Sequence, residues 1–83
     1  MRQLSIDFKP RAIKDLRAFD AQDRARILSK IEGLQDNLAG DVKRLTNFTP
    51  EYRLRVGDYR VLFEVEPDRV IIYRIKHRKD AYG

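Results

Sequence analysis

The chain has 83 residues, 42% hydrophobic and 37% charged, with no Cys, no Trp and a single His. That length holds one hydrophobic core, so residues 1–83 are expected to form one domain, and a disulfide scaffold, a Cys-ligated metal and a His cluster within the chain are excluded. No stretch approaches the roughly 20 apolar residues of a membrane span, and Met1 to Asp7 contain no signal-peptide apolar region, so a cytoplasmic protein with no metal, cofactor or membrane partner is expected.

Leu4, Ile6 and Phe8 alternate with Ser5 and Asp7, the period of a strand with one face buried. Pro10 suits the first turn of a helix, where its missing N–H has no partner to lose. Ala12, Ile13, Leu16 and Phe19 then give a short apolar stripe at helical spacing. Asp20 is placed to cap a second helix, with Asp23 adding negative charge in its first turn. Apolar residues recur at Ile27, Leu28, Ile31, Leu34 and Leu38 in steps of three and four, which predicts one amphipathic helix of about 18 residues, stopped by Gly40.

Residues 41–50, with Asn47, two Thr and Pro50, read as a connecting loop that carries Lys43 and Arg44. From Tyr52 the period returns to two. Tyr52, Leu54 and Val56 alternate with Arg53 and Arg55, and Gly57-Asp58 is a two-residue hairpin turn. Tyr59, Val61, Phe63 and Val65 share one face of the next strand, with Arg60, Leu62, Glu64 and Glu66 on the other. Pro67-Asp68 turns the chain again, and Val70, Ile71, Ile72, Tyr73 and Ile75 form the apolar run of an interior strand. The order β-α-α-β-β-β gives an α+β fold: a helical hairpin on one face of a small, mostly antiparallel sheet. The first strand is expected beside the last, which is apolar enough to be interior.

Lys and Arg number 18 against 13 Asp and Glu, a net charge of +5. Residues 1–42 carry eight basic and seven acidic side chains; residues 43–83 carry ten and six. A cationic half points to a polyanionic partner such as nucleic acid, or simply to a soluble basic surface. The hairpin sharpens the choice. A two-residue turn at Gly57-Asp58 sets Arg55 opposite Arg60, with Arg53 on the same face. Like charges in direct opposition destabilise a strand pair by a few tenths to about 1 kcal/mol, so the cluster reads as an anion site. The competing explanation is neutralisation by Glu64 and Glu66, which share that face but lie farther from the turn. The segment Lys76-His77-Arg78-Lys79-Asp80-Ala81-Tyr82 follows the last strand and returns toward Arg60. Arg53, Arg55, Arg60, His77, Arg78 and Tyr82 are therefore expected on one surface.

Tyr52-Arg53-Leu54-Arg55-Val56-Gly57-Asp58-Tyr59-Arg60 resembles the Y-R-x-R-x-G-x-Y-R core of the RelE/ParE superfamily of toxins from toxin–antitoxin pairs, and Ile75 to Tyr82 resembles its closing V-x-H-R-R-x-x-Y. The likeness spans the whole chain and includes the element order. It implies a compact fold of the microbial-ribonuclease kind and a RelE-type toxin, a metal-independent endoribonuclease that cuts translated mRNA in the ribosomal A site. By the same resemblance Arg53, Arg55 and Arg60 match the family's basic strand residues, Arg78 its arginine after the last strand, and Tyr82 its C-terminal tyrosine. Two departures stand out: Arg occupies 53 and 55 where the best-known members have Lys, and the chain stops at Gly83 without their C-terminal helix.

Such cleavage needs a base for the 2′-OH, charge stabilisation at the phosphorane and an acid for the leaving 5′-oxygen. Arg60 and Arg78 suit the charge-stabilising role. Arg53, Arg55, Lys43, Arg44, Lys76 and Lys79 would hold RNA phosphates. Arg is a poor base, so acid–base work is expected of His77 and Tyr82, with Tyr82 alternatively stacking on a nucleobase. The resemblance also implies the ribosome and mRNA as partners, and an acidic, RelB-like antitoxin that neutralises the toxin in a hetero-oligomer able to bind DNA through the antitoxin. Two other readings remain: a ParE-like toxin acting on DNA gyrase, and a non-catalytic basic nucleic-acid-binding module.

Overall fold

The computed structural model describes residues 4–47 and 49–81, Asp80 and Ala81 by their backbone only. The alternating segment at the N-terminus forms β1 (Ser5–Phe8). Pro10 opens α1 (Pro10–Arg17), which buries Ala12 and Leu16. Asp20 caps α2 (Ala21–Gly33): its Oδ1 accepts the Asp23 N–H at 2.8 Å.

The second helix is shorter than its apolar spacing predicts. After Gly33 the amides of Leu34, Gln35 and Asp36 donate to carbonyls three residues back, and Asn37 and Leu38 turn left-handed with φ of 57° and 60°. The irregular turn still buries Leu34 completely and packs Leu38 on the core, which is why the periodicity outlasts the helix.

The loop expected over 41–50 contains a strand. Val42–Arg44 form β2, pairing antiparallel with β3 (Tyr52–Val56). Three residues, two of them cationic, are too few to display a period of two. β3 turns through Gly57 into β4 (Tyr59–Glu66), which turns into β5 (Arg69–His77). Gly57 has φ +57°, and a Cβ there would lie 3.0 Å from Nη2 of Arg26. A one-turn helix, α3 (Arg78–Ala81), follows β5 where only a terminal tail is expected. The sheet order is β1-β5-β4-β3-β2, with β1 parallel to β5 and the remaining pairs antiparallel. Ile27, Ile31, Leu34, Leu54, Val61, Phe63, Val70 and Ile72 are fully or almost fully buried between helices and sheet. No described helix is long and apolar enough to cross a membrane.

One irregularity governs the site. Pairing of β4 with β5 runs regularly from Glu66↔Arg69 to Phe63↔Ile72, then jumps to Leu62↔Arg74, leaving Tyr73 as the extra residue of a bulge. In an unbroken register Ile75 would oppose Arg60 on the open face, and Lys76 would point into the core. The bulge reverses that parity. Ile75, 2% exposed, goes inward opposite Val61, and Lys76 goes outward opposite Arg60. The carboxylate of Asp15 on α1 secures the bulge. It accepts from the Ile75 N–H at 2.9 Å and from Arg74 Nε and Nη2 at 2.8 and 3.2 Å.

Candidate nucleic-acid interface

The sheet face away from the helices carries the cations in two rows. Arg55 on β3, Arg60 on β4 and Lys76 on β5 are consecutive cross-strand partners. Lys43 on β2 opposes Arg53 on β3 one step along. Opposed residues in antiparallel strands project to the same side, so five cations from four strands share this face.

Among the described residues these side chains are held by carboxylates only at the long Arg53–Asp41 contact. Arg60 is 8% exposed, and its buried Nε and Nη1 have no hydrogen-bond partner among the described residues. Arg53 Nη1 is also buried without a hydrogen bond; its nearest acid, Asp41, stands at 4.0 Å, the outer limit of an ion pair. Glu66 is taken by Arg69 at 2.7 Å, and Arg69 also holds Asp7. Glu64 pairs with Ile71 in the ladder and makes no ion pair among the described residues. Neutralisation by Glu64 and Glu66 is therefore not the arrangement found. A buried guanidinium with unmet donors is costly, and such a group marks a position where a ligand would supply the acceptors.

Not every residue expected on this face is there. His77 lies opposite Tyr59 on the helical side, its ring edge-on to the tyrosine with centroids 5.3 Å apart. Its Nδ1 accepts the Lys79 N–H at 3.2 Å. The bulge is the physical reason: the unbroken register would have put residue 77 on the side of Arg60. Arg44, opposite Tyr52, is on the core-facing side of an edge strand and pairs with Glu51 at 3.1 Å. Arg78 stands at the rim, its N–H donating to the Asp58 carbonyl in the β3–β4 turn, with an exposed side chain. Lys79 is exposed on α3. Tyr82 lies outside the described residues.

Two supports of the face are barely marked in the sequence. Asp15 is one; an acid in the middle of a short helix beside the buried Leu16 was its only signal. The other is Tyr59, which neighbours Arg60. Its hydroxyl donates to Asp23 Oδ2 at 2.9 Å, and its ring packs on Phe19 with centroids 4.7 Å apart. The bond to Asp23, together with burial, pushes the Tyr59 phenol above its ordinary value of 10.

Residues 6–82 match the family described as the ParE toxin of the type II toxin–antitoxin system parDE. Toxin RelE3 of Methanocaldococcus jannaschii is 34% identical over 95% of this chain and 96% of its own length. The fold is similar to that in the crystal structure of the RelB–RelE antitoxin–toxin complex from Methanococcus jannaschii, with a TM-score of 0.76 and 36% identity over 92% of this chain and 94% of that one. The archaeal RelE–RelB complex from Pyrococcus horikoshii OT3 shows the same fold, with a TM-score of 0.75 and 24% identity over 95% and 99% of the two chains. On sequence and fold together, the chain belongs to the RelE/ParE toxins of type II toxin–antitoxin systems.

Proposed function

We propose that this toxin is a ribosome-dependent mRNA endoribonuclease, and that the cationic sheet face is where it grips and cuts the RNA. The observation that carries the reading is the row Arg55–Arg60–Lys76, three like charges in direct opposition, whose central guanidinium is buried with two nitrogens lacking partners among the described residues. The face offers several fixed cations to a phosphate, and Arg forks match phosphate oxygens well. Attack of the 2′-OH on the adjacent phosphorus concentrates negative charge on the non-bridging oxygens, where Arg60, with Arg78 arriving from the rim, would stabilise it. Arg53, Arg55 and Lys43 would hold the neighbouring phosphates, and Lys79 would add a contact from α3. Tyr82 would stack on a base or take part in proton transfer.

A cognate antitoxin is part of the proposal. The related structures from Methanococcus jannaschii and Pyrococcus horikoshii are toxin–antitoxin complexes, and a net charge of +5 favours an acidic, RelB-like partner. The resulting hetero-oligomer would bind DNA through the antitoxin, in the cytoplasm. The ParE description of the matched family favours a second reading, inhibition of DNA gyrase. Two arms separate them: induced expression with 5′-end mapping of cellular transcripts, and supercoiling by gyrase in the presence of purified toxin. New 5′-hydroxyl ends within translated frames, with normal supercoiling, are expected. Lost supercoiling without new ends would replace the ribonuclease reading by the gyrase one.

A further inference from the structure

Ribose-phosphate cleavage needs a proton for the departing 5′-oxygen, and the only imidazole of the chain is on the wrong side of the sheet. His77 packs against Tyr59, and its Nδ1 already accepts from Lys79. A guanidinium is in general a poor proton donor, so Arg53, Arg55 and Arg60 are set aside as acids. Lys43 is exposed on the edge strand β2. Lys76 is half-buried, directly opposite Arg60, and makes no ion pair among the described residues. The bulge at Tyr73 puts it there, and the three bonds to Asp15 fix the bulge. An alkylammonium releases a proton far more readily than a guanidinium, and this one stands beside the group best placed to hold the phosphorane.

We infer that Lys76 is the general acid of the reaction, delivering its Nζ proton to the leaving 5′-oxygen; the inference rests on the ribonuclease reading above. In the step, the 2′-oxygen forms a bond to phosphorus and loses its proton to water. The bond from phosphorus to the 5′-oxygen breaks, its electron pair stays on that oxygen, and the oxygen takes the proton from Lys76. The products are a 2′,3′-cyclic phosphate and a 5′-hydroxyl, and the neutral amine regains its proton from solvent. Lys76 has two functions here, charge and proton donation, and Lys76→Arg keeps the first while weakening the second.

The test uses ribosome-bound mRNA carrying one scissile linkage, either the natural 5′-oxygen or a bridging 5′-sulfur, whose thiolate leaves without protonation. Wild type is expected to cut both in single turnover. Lys76→Arg and Lys76→Met, confirmed folded by circular dichroism, are expected to cut the oxygen linkage about 100-fold or more slowly; on the sulfur linkage Lys76→Arg is expected to cut at close to the wild-type rate, and Lys76→Met, which also loses the charge, to recover only part of its loss. Arg60→Ala is expected to lose both. Equal losses on the two linkages in both Lys76 variants, full activity on the oxygen linkage, or sulfur rescue in His77→Gln instead would overturn the assignment while leaving the ribonuclease reading standing. A wild-type protein that cuts neither linkage would overturn both.

Discussion

Arg60 combines two properties that selection for stability alone avoids: it is buried, and two of its nitrogens lack acceptors among the described residues. An unmet buried donor costs about 1–3 kcal/mol. Arg60→Met keeps the apolar stem and removes the unmet groups, so it is expected to raise the urea midpoint while abolishing RNA cleavage. A variant that is both less stable and fully active would show that Arg60 is structural. Tyr59, one residue before it, behaves in the opposite way. Its phenol titrates above the ordinary value because of the bond to Asp23 and burial. Its folded pKa exceeds the unfolded one, so the stability it contributes is complete below about pH 10 and is lost as pH rises through the folded value. Ultraviolet titration of Tyr59 should show the raised value, and Asp23→Asn should lower it.

Asp15 matters as part of an element, because its carboxylate ties α1 to the bulge of β5. Burial tends to raise its pKa, but the Arg74 bonds and the Ile75 N–H outweigh this and hold it below the ordinary 3.8. The unfolded chain therefore binds this proton more tightly. The contribution is complete above the unfolded value and is lost as pH falls through the folded one, so stability should drop on the acid side of about pH 4. Asp15→Ala strands the Ile75 N–H and the half-buried Arg74, and is expected to cost about 2–3 kcal/mol in urea denaturation. It should also slow cleavage by freeing the register that presents Lys76; unchanged stability and activity would contradict the clamp.

The hairpin at Gly57 and the flanking register Leu54↔Val61, Arg55↔Arg60 were legible, because turn chemistry and a period of two determine both. So were the Asp20 cap, Pro10 in the first turn of α1, and the place of β1 beside β5. The bulge was not legible: Val70 to Tyr73 is apolar throughout, so nothing in the pattern marks where parity changes. That one hidden residue sent His77 to the helical side and Lys76 to the open face. β2 was hidden by its brevity, and the early end of α2 by side chains that stay buried after the backbone leaves the helix.

At the scale of the whole molecule, the cations gather at one end of the open face, while Glu64 and Glu66 lie farther along it. Five cations from four strands stand on the open side of the sheet, while Asp15, Asp23 and Glu66 are occupied by bonds elsewhere. Binding single-stranded RNA through four or five of them should give a slope of log K against log salt of about −3, taking roughly 0.7 released counterions per contact. Fluorescence anisotropy across a salt series measures it, and a slope near zero would mean that the face does not bind phosphate. The most direct test of the site is single-turnover cleavage of mRNA on programmed ribosomes by wild type and by Arg60→Ala shown to be folded. The expected result is wild-type cutting that yields 5′-hydroxyl ends, with a loss of at least about 100-fold in the variant; equal rates in the two proteins would contradict it.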